Sequence, residues 1–511
     1  MFIKDGARLS LLGSHRTTQF WTTIVLTTVP ILFAVKKLLE KRKKLNYPPG
    51  PKGHFLFGNI FDLPSPQKGE FIEAKQLEWS KEHGLFYSLW LPFFGRAIVV
   101  MDPDLAKKVL VTKNYDKGYV YKILTPVLGS RSMVSLNGKE WAPHRKAFNP
   151  GFAPSFLRNM VNTMAEKLER FIKCIDEDIA ANVPTHMLSR SQTFTSDVIV
   201  SVAFGEDWGG DNPHPARLWE TEICRLLAGS FTDPMRLLFD FSTKRKIRHY
   251  ERLIDQEMLN ILERRLAAAT SNSNGEEISA AQDICSIAID QLKDKDGKLS
   301  SDDKISIAHQ LKTFYFAGHD TVASTLAWVI WLLSQHDDVL QKLRQELVEQ
   351  CIWANEVVPS YEQLQNCTYL EATFKETLRL YPPASFLSRY NGDVNDTYQG
   401  YNIGGCSIGV NVYAMHRHPD VWKDPDDFRP ERFLDGSEGD ISSKFLAFSR
   451  GPRDCLGRYF AILEGKLAIS ALALRYDMDC VDPNDRIVAL VTTMPIGGAL
   501  VRLKKRKAVA D

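Results

Sequence analysis

Apolar residues recur at helical spacing along most of the chain from about residue 140 onward. The pattern predicts amphipathic helices over Phe156–Ala180, Leu253–Ala269, Asp303–Ser334 and Val339–Gln350. Between about residues 70 and 115, the short runs Phe86–Trp90 and Ala97–Val100 predict strands set among helical stretches. The chain therefore reads as mainly α with a small β part. One stretch breaks the periodicity: TSNSNGEEISAA, residues 270–281, carries no apolar stripe and predicts a surface loop. SSDD at 300–303 then offers hydroxyl caps and acidic side chains for the start of a long helix. No internal repeat and no second shift of composition divides the body, so 52–511 is expected to be one domain.

The N-terminus follows another pattern. Phe20 to Val35, FWTTIVLTTVPILFAV, carries no charge and runs straight into KKLLEKRKK. That predicts a membrane anchor at 20–35; the run is shorter than the roughly 20 residues that span a bilayer, and the uncharged Thr17 and Thr18 with some tilt lengthen it. Six Lys/Arg at 36–44 against three before the run put residues 1–19 in the lumen and everything downstream in the cytosol. The expectation is a single-pass protein of the endoplasmic reticulum membrane. No small-residue cleavage site of a removable leader follows. Residues 36–51, basic and ending in PPGP, are expected to be a linker with a stiff proline hinge.

Composition narrows the classes. A net charge of +2 over 511 residues argues against nucleic acid as a partner. Eight cysteines without a CxxC pair suit neither a disulfide scaffold nor a zinc site, and seven of them read as reduced, buried thiols. Cys455 differs. It lies in FSRGPRDCLG, 448–457, just before the helical pattern YFAILEGKLAISALAL. Glycines let such a loop approach a flat cofactor, while arginine and a helix N-terminus favour an ionised sulfur.

Phe448, Gly451, Arg453, Cys455 and Gly457 together match F-x-x-G-x-R-x-C-x-G, and on them the chain resembles the cytochrome P-450 family. Three further motifs agree. AGHDT, 317–321, is similar to the family's oxygen-activation motif; a Gly beside a Thr that can bond back to a carbonyl one turn earlier loosens a helix. ETLR supplies Glu376 and Arg379 on one helix face, and FRPERF, 428–433, supplies Arg432. WAPHR, 141–145, resembles the family's W-x-x-x-R, placing Trp141 and Arg145 one turn apart.

The resemblance implies a cytochrome P-450 fold and a monooxygenase that uses heme b with Cys455 as the axial thiolate on iron. It implies that Asp320 and Thr321 carry protons from solvent. Trp141, Arg145 and Arg453 are implied as donors to the haem propionates, with Arg389 a weaker candidate. Glu376, Arg379 and Arg432 are implied as a buried structural charge network. NADPH-cytochrome P-450 reductase, with cytochrome b5, is implied as electron donor, docking on Lys444, Arg450 and Arg458. The segments Tyr119–Met133, Phe314–Thr325, Ala384–Leu387 and Met494–Ile496 are rich in apolar residues and imply a lipophilic small-molecule substrate. Similarity of 141–153 to fungal biosynthetic enzymes implies a polyketide or terpenoid of a secondary-metabolite pathway. The alternatives are a haem-thiolate isomerase or dehydratase, oxidation of fatty-acid-like or xenobiotic compounds, and a haem-binding sensor without turnover.

Overall fold

In the computed structural model, residues 45–55, 57–64, 71–91, 95–209, 214–232, 240–271, 283–489 and 491–506 are described. The expected lumenal segment, the anchor at 20–35, the basic run up to 44 and most of the loop at 270–281 lie outside them. Among the described residues no helix is long and apolar enough to cross a membrane.

The helices that build the site are α1 (Gly138–Phe148), α2 (Pro154–Ala180), α3 (Met187–Ile199), α4 (Pro215–Thr232), α5 (Phe241–Ser271), α6 (Ser301–Leu333), α7 (Asp337–Glu349), α8 (Thr368–Leu380) and α9 (Arg458–Arg475). Pro154 opens α2 at its first turn, where a missing N–H is harmless. α5 starts at Phe241 rather than Leu253, because FSTKRKIRHYER is charged on every side and shows no apolar stripe although its residues propagate a helix well. At α6 the Ser300 hydroxyl accepts from the Asp303 N–H at 3.0 Å and acidic residues fill the first turn, as the SSDD run predicts.

α6 is apolar nearly all round, and from Ser306 to Leu333 it is the spine of the main core, packed lengthwise on α3 and crossed by α5, α8 and α9. A smaller core lies under a five-stranded sheet of β1 (Phe86–Leu91), β2 (Gly95–Val100), β3 (Asp116–Lys117), β4 (Phe386–Asn391) and β5 (Cys406–Asn411), in the order β1-β2-β5-β4-β3. Only β2 and β5 run parallel, Ile98 beside Ile408. At the far edge β3 sets Lys117 opposite Arg389.

The PPGP segment does not swing free. The Ser88 N–H and hydroxyl donate to the Pro49 and Pro48 carbonyls at 3.0 and 2.8 Å, and Gly50 lies so close that a Cβ there would sit 2.0 Å from the Ser88 oxygen. The strap is thus fastened along β1.

Candidate haem-thiolate site

The loop ahead of α9 is closed by the Cys455 N–H, which donates to the Phe448 carbonyl at 2.9 Å. Gly451 has φ +82°, and a Cβ there would lie 2.6 Å from the Leu110 carbonyl oxygen, so a side chain fits neither the backbone nor the space. Gly457 stands at the N-cap of α9, two residues after Cys455. Burial pushes the Cys455 thiol above its ordinary range; the Gly457 N–H and the Arg458 charge oppose that. The thiol touches solvent although protein atoms surround it on most sides, which is the position of a group on the floor of a recess. A recess of about 200 Å³ lined by Arg145, Phe152, Pro154, Asp454, Cys455 and Arg458 opens beside it.

Of the expected propionate donors, Arg145 is held inside the cysteine loop: its guanidinium donates to the Asp454 carbonyl and carboxylate at 2.8 and 2.9 Å. α1 brings it there although Pro143, inside the helix, removes one backbone bond. Trp141 lies with the Arg453 guanidinium 4.9 Å from its ring. The Arg453 Nη1 donates to the Leu136 carbonyl at 2.7 Å, but its Nε has no partner.

Arg389, the weaker candidate, is wholly buried, and two of its nitrogens, Nε and Nη2, have no partner. Beside it on β3, Lys117 is held well below the usual lysine range by burial and by the charges of Arg389 and Arg453. Three cations thus face one another, and Asp116, the acid whose charge acts on Arg453, is exposed. Such a set lacks an anion, and the carboxylates of a flat group would supply charge of the opposite sign. Lys117 had no sequence signal: it is one lysine in a two-residue strand.

On α6, Ala317, Gly318 and Thr321 interrupt an otherwise buried surface. The Thr321 hydroxyl donates to the Ala317 carbonyl one turn earlier at 2.6 Å, within a helix that stays regular through this stretch. Gly318 has a packing reason as well, since a Cβ there would lie 2.7 Å from Ile199 of α3. The Asp320 carboxylate accepts from Gln192 at 3.3 Å and from Thr492. Sequence reasoning missed both partners, which lie far away in the chain.

α6 also fixes the walls. Its Gln310 accepts from the Met133 N–H and donates to the Arg131 carbonyl, both at 3.0 Å, and Thr313 donates to the Leu128 carbonyl. Ser324 donates to the Thr493 carbonyl at 2.7 Å. Two of the expected pocket segments are therefore tied to the spine, one directly and one by the residue preceding Met494.

Glu376, Arg379 and Arg432 come together as expected. The Arg379 guanidinium donates to both Glu376 oxygens at 2.8 Å, and Arg432 donates to Glu376 at 2.9 Å. Glu438 extends the network unforeseen, accepting from Arg432 at 2.5 Å and from Lys444 at 2.8 Å. That corrects the docking surface: Lys444 is buried in this network and does not belong to an exposed basic patch.

Helical spine, cysteine loop and anion-seeking cations define a haem-thiolate protein. The cytochrome P450 family model matches residues 48–502, and the chain belongs to that family. It is 27% identical to cytochrome P450 4Z1 of Homo sapiens over 90% of this chain and 92% of the relative. It is 28% identical to cytochrome P450 4X1 of Rattus norvegicus over 87% and 88%. To cytochrome P450 3A6 of Oryctolagus cuniculus it is 29% identical, over 85% and 89%. The chain is a cytochrome P450 monooxygenase, of a family that holds haem through a cysteine thiolate.

Proposed function

We propose that Cys455 is the axial ligand of heme b and that the protein oxygenates a lipophilic substrate with electrons from NADPH through cytochrome P-450 reductase, with cytochrome b5 as a second donor. The observation that carries this is the Cys455 thiol lining a recess at the head of α9, in a loop closed by its own N–H on the Phe448 carbonyl. When bound, the cofactor supplies dioxygen activation, to which a thiolate lends electron density. The chain's own residues bind, orient and deliver protons. Lys117, Arg389 and Arg453 hold the propionates; this deepens the role of Arg389 and adds Lys117. Trp141 keeps Arg453 in place. Asp320, polarised by Gln192 and Thr492, passes protons toward Thr321, whose hydroxyl is pinned to Ala317. Phe448, Gly451 and Gly457 shape the loop, and Arg145 braces it through Asp454.

Arg450 and Arg458 remain as the docking face for an acidic flavin domain; Arg458 is one-third exposed and 3.4 Å from Asp454. Membrane anchoring by residues 20–35 in the endoplasmic reticulum fits a lipophilic substrate. A polyketide or terpenoid substrate follows from the resemblance of 141–153 and of the overall length to fungal biosynthetic enzymes. The assignment is tested by the reduced, carbon-monoxide-bound spectrum of the wild type and of Cys455→Ser. A red-shifted Soret band lost in the variant is the expected result, and a band that survives the substitution overturns the ligand assignment.

A further inference from the structure

One buried ionisable pair beside the α6 turn has no part in the mechanism above. His319 and Glu220 are both more than nine-tenths buried, one on α6 and one on α4, and the His319 Nε2 lies 3.5 Å from a Glu220 oxygen. The other ring nitrogen, Nδ1, lies 2.8 Å from the Tyr315 carbonyl. A carbonyl only accepts, so Nδ1 carries a hydrogen and a neutral ring presents a lone pair at Nε2. An ionised Glu220 would set two acceptors face to face, with the Asp320 carboxylate adding to the repulsion. The contact is attractive only with one proton between the two groups.

The groups around the pair oppose one another and leave burial in control. Asp320 repels an ionised Glu220, whereas Lys312 of α6 and Arg217 of α4 attract it. Lys312 is already taken by Asp255 of α5 at 2.6 Å. Tyr315 stacks on the His319 ring, 4.8 Å between centroids, and Cys224 of α4 is a neutral thiol raised by burial. From α3 come Gln192, Thr195 and Ser196, all neutral, and Asp197, which faces Arg170 and Arg217. Burial raises Glu220 well above the ordinary carboxylate range, with Asp320 adding to it, and burial lowers His319; both favour a neutral imidazole beside a protonated carboxyl.

The pair grips the turn that bears Asp320 and Thr321. Thr195 donates to the His319 carbonyl at 2.8 Å, His319 donates to the Tyr315 carbonyl and Thr321 donates to the Ala317 carbonyl. Glu220 is the anchor of this set that comes from α4, a helix packed mainly along α5. We propose that Glu220 is a positioning residue for the Asp320–Thr321 turn: it and His319 hold one proton in common across the junction of α4 and α6, and losing that proton frees the turn. The inference rests on reading that turn as the oxygen-side proton carrier.

The sign follows from where the proton is bound. Glu220 keeps its proton in the folded protein at pH values where the unfolded chain has lost it, so its contribution is lost as pH rises through the folded value. Glu220→Gln keeps a donor for Nε2 and cannot titrate; Glu220→Leu removes the donor. The test is amide hydrogen exchange of residues 315–321 in the full-length haem-loaded protein across neutral to alkaline pH, corrected for intrinsic exchange. With it goes a count of hydrogen peroxide released per NADPH oxidised with reductase.

In the wild type, protection of the turn falls by up to about tenfold per pH unit as pH rises toward the Glu220 midpoint and levels off above it. It stays level in Glu220→Gln and is low at every pH in Glu220→Leu. A Gln variant that loses protection with pH as the wild type does overturns the proposal, as does a Leu variant with wild-type protection. Should exchange follow the expected pattern while peroxide release is identical in all three proteins, Glu220 positions the turn and it is the proton-carrier reading of Asp320 and Thr321 that fails.

Discussion

Two buried charge clusters flank the site and are built on opposite plans. Around Glu376, Arg379, Arg432, Glu438 and Lys444 every charge meets an opposite charge, and the remaining guanidinium hydrogens reach the His416, Pro425, Asp427 and Lys423 carbonyls. Around Lys117, Arg389 and Arg453 there are cations and an aromatic ring, orphaned guanidinium nitrogens, and no buried acid among the groups that shift them. Burying charge is tolerable only when it is paired. The closed cluster is therefore complete as protein, and the open one is complete only with an anion. Burial alone marks both; what separates scaffold from site is whether the charges balance.

The largest effect is expected from opening the closed cluster. Glu376→Ala leaves Arg379 and Arg432 buried without their shared carboxylate, a loss of about 3–5 kcal/mol. Urea unfolding of the purified variant, or its failure to accumulate folded, measures it. A loss below about 1 kcal/mol would show that the surrounding carbonyls suffice and that the cluster is not held by charge balance.

Next comes Arg389→Met. Removing an unpartnered cation leaves the haem-free protein as stable as the wild type or more so, while haem is held less firmly by about 1.5–3 kcal/mol, the worth of hydrogen bonds to a charged group. Transfer of haem to an excess of apomyoglobin then quickens by tens of fold. If haem-free stability falls sharply and haem transfer does not change, Arg389 belongs to the scaffold and the contrast between the clusters collapses.

The closed cluster was largely legible in the sequence and the open one only in part. Glu376 and Arg379 share a helix face and Arg432 sits in a motif, so three of its members announced themselves; Glu438 and Lys444 carry no pattern, and Lys444 was misplaced on the surface. The cysteine loop was readable because glycine, arginine and cysteine each answer a local demand of backbone or charge. Lys117, Gln192 and Thr492 were not, because their roles exist only where α6 and the sheet edge bring remote segments together. Helix α5 shows the same limit for the fold: a charged first half has helical propensity but no stripe to reveal it.

The smallest effect sharpens the contrast most. Lys117 is half-buried as a side chain, but its ammonium is enclosed enough to be held well below the ordinary lysine value of 10.5, chiefly by burial and then by Arg389 and Arg453. Between the lowered folded value and 10.5 the unfolded chain binds the proton and the folded haem-free protein does not. Stability of the haem-free protein therefore rises with pH through that window. The slope has a ceiling on the order of 1 kcal/mol per pH unit, and the partial exposure of Lys117 brings it lower. Urea midpoints of the haem-free protein at two or three alkaline pH values read it, and Lys117→Met is expected to flatten it. With haem bound, two carboxylates let the lysine keep its proton when folded, so the slope vanishes in the wild type as well. A slope unchanged by the substitution, or equal with and without haem, would mean that Lys117 titrates as an ordinary surface lysine, leaving Arg389 and Arg453 as the only cations that seek the anion.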